Sequence, residues 1–176
     1  MPFFEPGLQE FVKETIESGF LTFTDSLEGA VKKADVIFIA VGTPSLPNGE
    51  PDLYQVMVVA RAIGGALDGS KRRIIVNKST VPVGSGNWVE MLVSQGVQNA
   101  QPVPARSARP ESPSFTVVSN PEFLREGSAI TDSFYPDRIV VGASDDNAVE
   151  VMKNLYKPII NQTFEPPSFA PRPAAF

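Results

Sequence analysis

Apolar positions along the chain recur at three or four residues in some stretches. In others they form short continuous runs, so the pattern reads as alternating helices and strands. Leu8, Phe11, Val12, Thr15 and Ile16 follow Pro6 and Gly7 at helical spacing, and Gly19 closes that run. Leu21–Thr24 is a short strand candidate, and Asp25 or Ser26 can cap a helix towards Lys33. Val36–Val41 is almost purely apolar, as expected of a strand buried on both faces. Gly42–Pro51 reads as a loop. Leu53–Leu67 then places Val56, Val59, Ala60, Ile63 and Leu67 on one helical face. Ile74–Ser79 is the next strand, and Gly84 and Gly86 open a helix with Val89, Leu92 and Val93 inward. Phe115–Ser119 and Arg138–Gly142 read as strands, and Asp145 or Asp146 caps a last helix to about Tyr156. This order predicts an α/β fold with a mostly parallel sheet.

Composition narrows the chemistry. The net charge of -5 over 176 residues argues against a nucleic-acid partner, which needs a basic footprint. The one dense basic run, Lys71-Arg72-Arg73, reads as a solvated turn between helix and strand. No apolar run approaches the ~18 residues of a membrane span, and no leader pattern opens the chain, so a cytoplasmic protein is expected. The absence of cysteine excludes disulfides and a thiol nucleophile within the chain. Histidine is absent too, so acid–base chemistry falls to carboxylates, lysines or water, and no metal site is expected. Gln98–Ser114 holds four prolines and reads as a surface excursion. Residues 165–176 read as a Pro- and Ala-rich disordered tail, after a single domain over 1–164.

Three clusters fall at the carboxyl ends of predicted strands, where parallel sheets bind their ligands. Val41-Gly42-Thr43-Pro44 offers open backbone and a hydroxyl, or merely turns the chain. Lys78-Ser79-Thr80-Val81-Pro82-Val83-Gly84 suits recognition of phosphate or hydroxyl groups, unless Ser79 and Thr80 satisfy local backbone groups. Gly84 and Gly86 do not make a dinucleotide fingerprint, because Val89 stands where a third glycine belongs. In Asn120-Pro121-Glu122-Phe123-Leu124-Arg125-Glu126-Gly127, two carboxylates four apart share one face if the segment is helical. They either complement a helix dipole or form a polar loop whose carboxylate accepts a proton during an alcohol oxidation.

These clusters, together with EPGLQEFV (Glu5–Val12), ADVIFIAVGTP (Ala34–Pro44), NKSTVPVGSG (Asn77–Gly86), SNPEFLREGSAI (Ser119–Ile130) and PDRIVVG (Pro136–Gly142), resemble the UDP-glucose dehydrogenase family. The resemblance covers about Glu5–Tyr156. It implies a doubly wound, Rossmann-like sheet and an oxidation of UDP-glucose to UDP-glucuronate by two NAD molecules in turn. It places Gly42 and Thr43 near the cofactor. Thr80 matches an active-site threonine near nicotinamide and a catalytic water. Glu122 matches a glutamate assigned to thioester hydrolysis, and Phe123, Leu124 and Arg125 a loop whose backbone lines the sugar-nucleotide site. Glu126 matches a second glutamate at the boundary of nicotinamide and substrate. GDP-mannose is the alternative substrate, although KSTVPVG and PDRIVVG look more like the UDP-glucose branch.

The family's opening strand, GxGxxG turn and second strand have no counterpart here, nor do its catalytic cysteine segment and UDP-binding domain. The expectation is therefore a fragment with a partial sheet lacking its first two strands, not catalytically competent by itself. The alternative is a non-catalytic module that binds a nucleotide or a partner. Relatives form homo-oligomers through a central helix that has no match in this chain. With its first strands absent, the apolar Val36–Val41 edge is expected to make the chain marginally stable or prone to associate.

Overall fold

The computed structural model describes residues 4–82, 84–100 and 114–163. They fall into two compact units. One is built from Thr24–Glu122 with Val140–Val149, and the other from the described residues of Met1–Phe23, Phe123–Ile139 and Glu150–Phe176.

The first unit holds the sheet. Its strands are β1 (Val36–Ile39), β2 (Arg73–Asn77) and β3 (Phe115–Ser119), all parallel and in the order β1-β2-β3. Parallel neighbours need a crossover, and helices supply it here. Naming helices in chain order, α1 (Leu8–Glu17) belongs to the other unit and α2 (Leu27–Lys33) precedes β1. Helix α3 (Tyr54–Ala66) joins β1 to β2, and α4 (Ser85–Ala100) lies between β2 and β3. Ser26 caps α2 by accepting a hydrogen bond from the Gly29 N–H at 3.2 Å. Val31, Ile39, Val56, Ala60, Ile63, Ile75, Val89, Leu92 and Val93 form the core between the helices and one face of the sheet. Every residue of β2 is buried, as a central parallel strand requires.

Helices α3 and α4 approach closely. A methyl group built on Gly64 would overlap the Val93 carbonyl, and one on Gly96 would overlap the Arg61 carbonyl. Glycine is the residue type that permits this backbone-to-backbone contact.

The basic run is not a solvated turn. Arg73 is 1% exposed. Its guanidinium donates to the carbonyls of Val31 (3.3 Å), Lys32 (3.0 Å) and Lys71 (2.7 Å) and to the Asp68 carboxylate (3.4 Å). It thereby satisfies carbonyls at the end of α2 that lack helical partners. Arg72 bonds Thr116 of β3 and the Asp145 carboxylate.

Other expectations also need correction. Leu21–Thr24 is not a strand: it pairs with no described segment, and only Leu21 is even half-buried. Arg138–Gly142 contributes one antiparallel bridge, Gly142 with Ser119, and no strand. The last helix, α6 (Asp146–Ile160), runs past Tyr156 and carries Pro158 inside it. Residues 98–100 of the expected excursion belong to α4, and 101–113 lie outside the described residues, as does the 165–176 tail.

In the second unit, α1 and α5 (Ala129–Phe134) meet through Phe11 and Phe134, whose rings pack edge to face at 5.6 Å. None of the α1 residues at helical spacing reaches full burial, and Ile16 is exposed.

Candidate functional site

Because β1, β2 and β3 are parallel, their carboxyl ends lie along one edge of the sheet. Three predicted clusters leave from that edge: Gly42-Thr43 after β1, Lys78-Ser79-Thr80 after β2, and Asn120-Pro121-Glu122 after β3. Hydrogen bonds between the exits hold them in place. The Ser79 hydroxyl accepts from the Val41 N–H at 2.9 Å and donates to the Val41 carbonyl at 2.8 Å. The Lys78 and Ser79 N–H groups both donate to the Ile39 carbonyl, at 2.9 and 3.1 Å. Asn120, 1% exposed, ties the third exit: its N–H donates to the Asn77 carbonyl at 3.0 Å and its side chain to the Val140 carbonyl at 2.8 Å. The PDRIVVG motif ends in this bracing.

Ser79 thus satisfies backbone groups, but those of Val41, just past the end of β1 and 38 residues away, rather than its own. Thr80 has the opposite fate and is exposed, as is Gly42, while Thr43 is half-buried. Among the described residues, chain neighbours aside, no atom lies within 4 Å of where a Gly42 side chain would start. Asn77, 3% exposed, donates to the Ser79 carbonyl at 3.4 Å, yet its side-chain oxygen has no partner among the described residues. A buried acceptor left unpaired costs about 1–3 kcal/mol, so a donor arriving at this edge would be stabilised there. Burial lowers the Lys78 amine below the usual lysine range, against the opposing charge of Glu122. Open backbone, hydroxyls, an orphan acceptor and a partly desolvated cation fit the demands of a dinucleotide at a sheet edge.

The rest of the predicted cluster belongs to the second unit. Residues 121–125 are not helical and α5 starts only at Ala129, so Glu122 and Glu126 do not share a helical face. Gly127, at φ 82°, and Pro121 account for the break. Phe123 and Leu124 are 47% and 43% exposed, and Arg125 and Glu126 are exposed as well. The Arg138 guanidinium sits 4.8 Å from the centre of the Phe123 ring. Arg125 grips Asp132 with two side-chain hydrogen bonds of 3.1 and 2.6 Å. Beside the loop is an open cleft of about 560 Å³, lined by Glu5, Leu8, Phe11, Leu124, Glu126 and Phe134 among others.

Sequence reasoning missed Glu5 and Asp132 around this loop, and Asn77 and Asn120 at the strand ends. For Asn77 and Asn120 a signal existed, since a polar residue closing a buried strand must find partners. Among the described residues no helix is long and apolar enough to cross a membrane.

A parallel α/β sheet with ligand-competent strand ends defines a nucleotide-binding domain of the doubly wound class. Residues 1–160 match the UDP-glucose/GDP-mannose dehydrogenase family, NAD binding domain, and the chain belongs to that family. The UDP-glucose 6-dehydrogenase of Rhizobium meliloti (strain 1021) is 47% identical over 167 residues, 93% of this chain and 35% of the relative. The UDP-glucose 6-dehydrogenase TuaD of Bacillus subtilis (strain 168) is 42% identical over 158 residues, 90% of this chain and 31% of the relative. Among solved structures, a UDP-glucose dehydrogenase from the archaeon Pyrobaculum islandicum aligns with TM-score 0.75 at 43% identity, over 89% of this chain and 34% of that one. The GDP-mannose dehydrogenase of Pseudomonas aeruginosa, seen in a ternary complex, aligns with TM-score 0.77 at 35% identity over the same shares. The chain therefore spans about a third of the length of the relatives it matches.

Proposed function

We propose that this chain is the cofactor-binding part of an NAD-dependent oxidoreductase that takes UDP-glucose to UDP-glucuronate in two hydride transfers. The observation that carries this reading is the single sheet edge at which Gly42, Thr43, Thr80 and Glu122 emerge from three parallel strands. Gly42, Thr43, Thr80 and Glu126 would hold the cofactor, which supplies the hydride acceptor when bound. Thr80 presents an exposed hydroxyl that can order water or a substrate hydroxyl. Glu122, half-buried beside Lys78, is the proton acceptor, and Glu126, in the other unit, is the second carboxylate that the resemblance assigns. Glu122, Phe123, Leu124, Arg125 and Glu126 contact the nucleotide sugar, the middle three through their backbone. The thioester step needs a thiol, which this chain does not contain, so the chain alone performs no complete turnover.

UDP-glucose is preferred over GDP-mannose because the relatives named for UDP-glucose are more similar, 47% against 35% identical. A chimera tests the whole reading. This chain replaces the matching segment of the Rhizobium meliloti enzyme, and NADH formation is followed with either sugar nucleotide. NADH formed from UDP-glucose, with a kcat about 10²–10⁴ lower for Glu122→Gln, is the expected result. A folded chimera that is inactive, or that prefers GDP-mannose, overturns it. The second reading, a non-catalytic binding module, is favoured only if the isolated chain binds NAD or UDP-glucose tightly while the chimera stays inactive.

A further inference from the structure

The EPGL motif at the start of α1 has no role in the proposed function, yet among the described residues its glutamate makes the longest-range side-chain hydrogen bonds of its unit. Glu5 Oε2 accepts from the Gly127 N–H at 2.9 Å, and Oε1 accepts from the Ala129 N–H at 2.7 Å. One carboxylate thus binds two backbone donors two residues apart, both its oxygens in use. The glutamate is itself anchored. Its carbonyl accepts from the Leu8 N–H at 3.1 Å, Pro6 follows it, and α1 packs on α5 through Phe11 and Phe134.

A second carboxylate holds the other side of the same loop. Asp132 accepts from the Arg125 N–H at 3.0 Å, from the Arg125 side chain at 3.1 and 2.6 Å, and from the Ser128 hydroxyl at 3.1 Å. Between the two carboxylates stands Glu126, with its neighbours Arg125 and Gly127 both pinned. The Arg125 guanidinium is spent on Asp132. The loop therefore offers its backbone and the Glu126 carboxylate, while Arg125 works as a tether.

We propose that Glu5 is a positioning residue for the Phe123–Gly127 loop, which it holds, with Asp132, in the one shape that presents Glu126 and the loop backbone to a nucleotide sugar. The ligand half of this inference rests on the function proposed above, and the clamp half does not. The loop's φ of 82° at Gly127 makes such a clamp necessary, since a glycine there is free to leave that conformation unless its N–H is bound. A carboxylate suits the task because its charge-assisted bonds to N–H donors are short and strong.

The experiment pairs amide hydrogen exchange, read residue by residue by NMR on this chain, with calorimetric titration of UDP-glucose into the chimera described above, each for the unmodified sequence and its Glu5→Ala and Glu5→Gln variants. In Glu5→Ala, exchange at Gly127 and Ala129 is expected to accelerate by about tenfold or more, with Ile75 and Val76 in the core unchanged. UDP-glucose affinity is expected to fall by about tenfold, with Glu5→Gln between the two because it keeps one acceptor oxygen. Unchanged exchange at Gly127 and Ala129 overturns the inference, as does a uniform acceleration that includes the core, which would show Glu5 to be merely structural. Local acceleration with undiminished UDP-glucose affinity overturns the positioning role. If the unmodified chimera does not bind UDP-glucose while Glu5→Ala still frees the two amides, the clamp stands and the assignment of the loop to the sugar nucleotide fails. Glu5→Gln decides the same questions if Glu5→Ala does not fold.

Discussion

Arg73 places a full positive charge where its exposure is 1%. Its four named acceptors lie on α2's last residues, on its own approach and on Asp68. Arg73→Met keeps much of the apolar stem but strands the Val31 and Lys32 carbonyls. We expect a loss of about 3–5 kcal/mol, read as a lower urea midpoint, because breaking a buried charged network leaves its partners unpaired. Asp132 makes a pH-dependent prediction. The hydrogen bonds from Arg125 lower its carboxyl to about 2, with burial opposing. Its unfolded value is about 3.9, so the folded state is favoured by an ionised Asp132. This contribution is fully present above the unfolded value and fades as pH falls through about 4 towards 2. Asp132→Asn should remove that component, and urea midpoints of the two proteins should converge as pH falls over this range. Neither Arg73 nor Glu5 was legible in the sequence. Arg73's partners on α2 lie 41 and 42 residues away, and Glu5's lie 122 and 124 away. A local reading of Lys71-Arg72-Arg73 as a surface turn has no access to such partners.

Elements were more legible, because their signals are local. Val89, Leu92 and Val93 do face inward from α4, and Ser26 does cap α2. Strand β3 has the predicted limits, Phe115–Ser119, whereas β1 stops two residues before Val41. The cause is the Ser79 hydroxyl, which takes both the N–H and the carbonyl of Val41 and so withdraws them from the ladder. Glycines within helices gave no hint of their role. Gly64 and Gly96 look like weak points by propensity, yet they are what lets α3 and α4 touch backbone to backbone. Gly64→Ala and Gly96→Ala should therefore destabilise, although alanine favours helix. Forcing the helices apart should cost about 1–3 kcal/mol for each, and the double variant should be less than additive because one crossing is relieved by both. Gly65→Ala is the control, since its nearest neighbours lie at 3.8 and 3.9 Å and ordinary contact needs no movement. If Gly64→Ala is as stable as Gly65→Ala, the crossing is not tight in solution.

At the scale of the whole molecule, the sheet's two edges differ. At the β3 edge, Ser119 is engaged by its bridge to Gly142. Strand β1 forms the other edge, and no described segment pairs with it there. The Ile74 and Lys78 N–H groups donate to the Asp35 and Ile39 carbonyls, so in a parallel ladder the odd-numbered residues of β1 face β2. Val36 and Phe38 consequently turn their N–H and carbonyl groups to the open side. The strand reads Val-Ile-Phe-Ile, with no charge or proline to discourage pairing, and Phe38 is 39% exposed. Such an edge is a template for another strand. The isolated chain should therefore sediment with a weight-average mass that rises with concentration. Phe38→Lys places a charge on the open edge and leaves the opposite, helix-facing side of β1 as it was. It should hold the chain monomeric without lowering its unfolding midpoint. A chain that sediments as one monomer at every concentration and unfolds in a single sharp step would show that the β1 edge is protected. In that case Phe38→Lys would leave the sedimented mass unchanged.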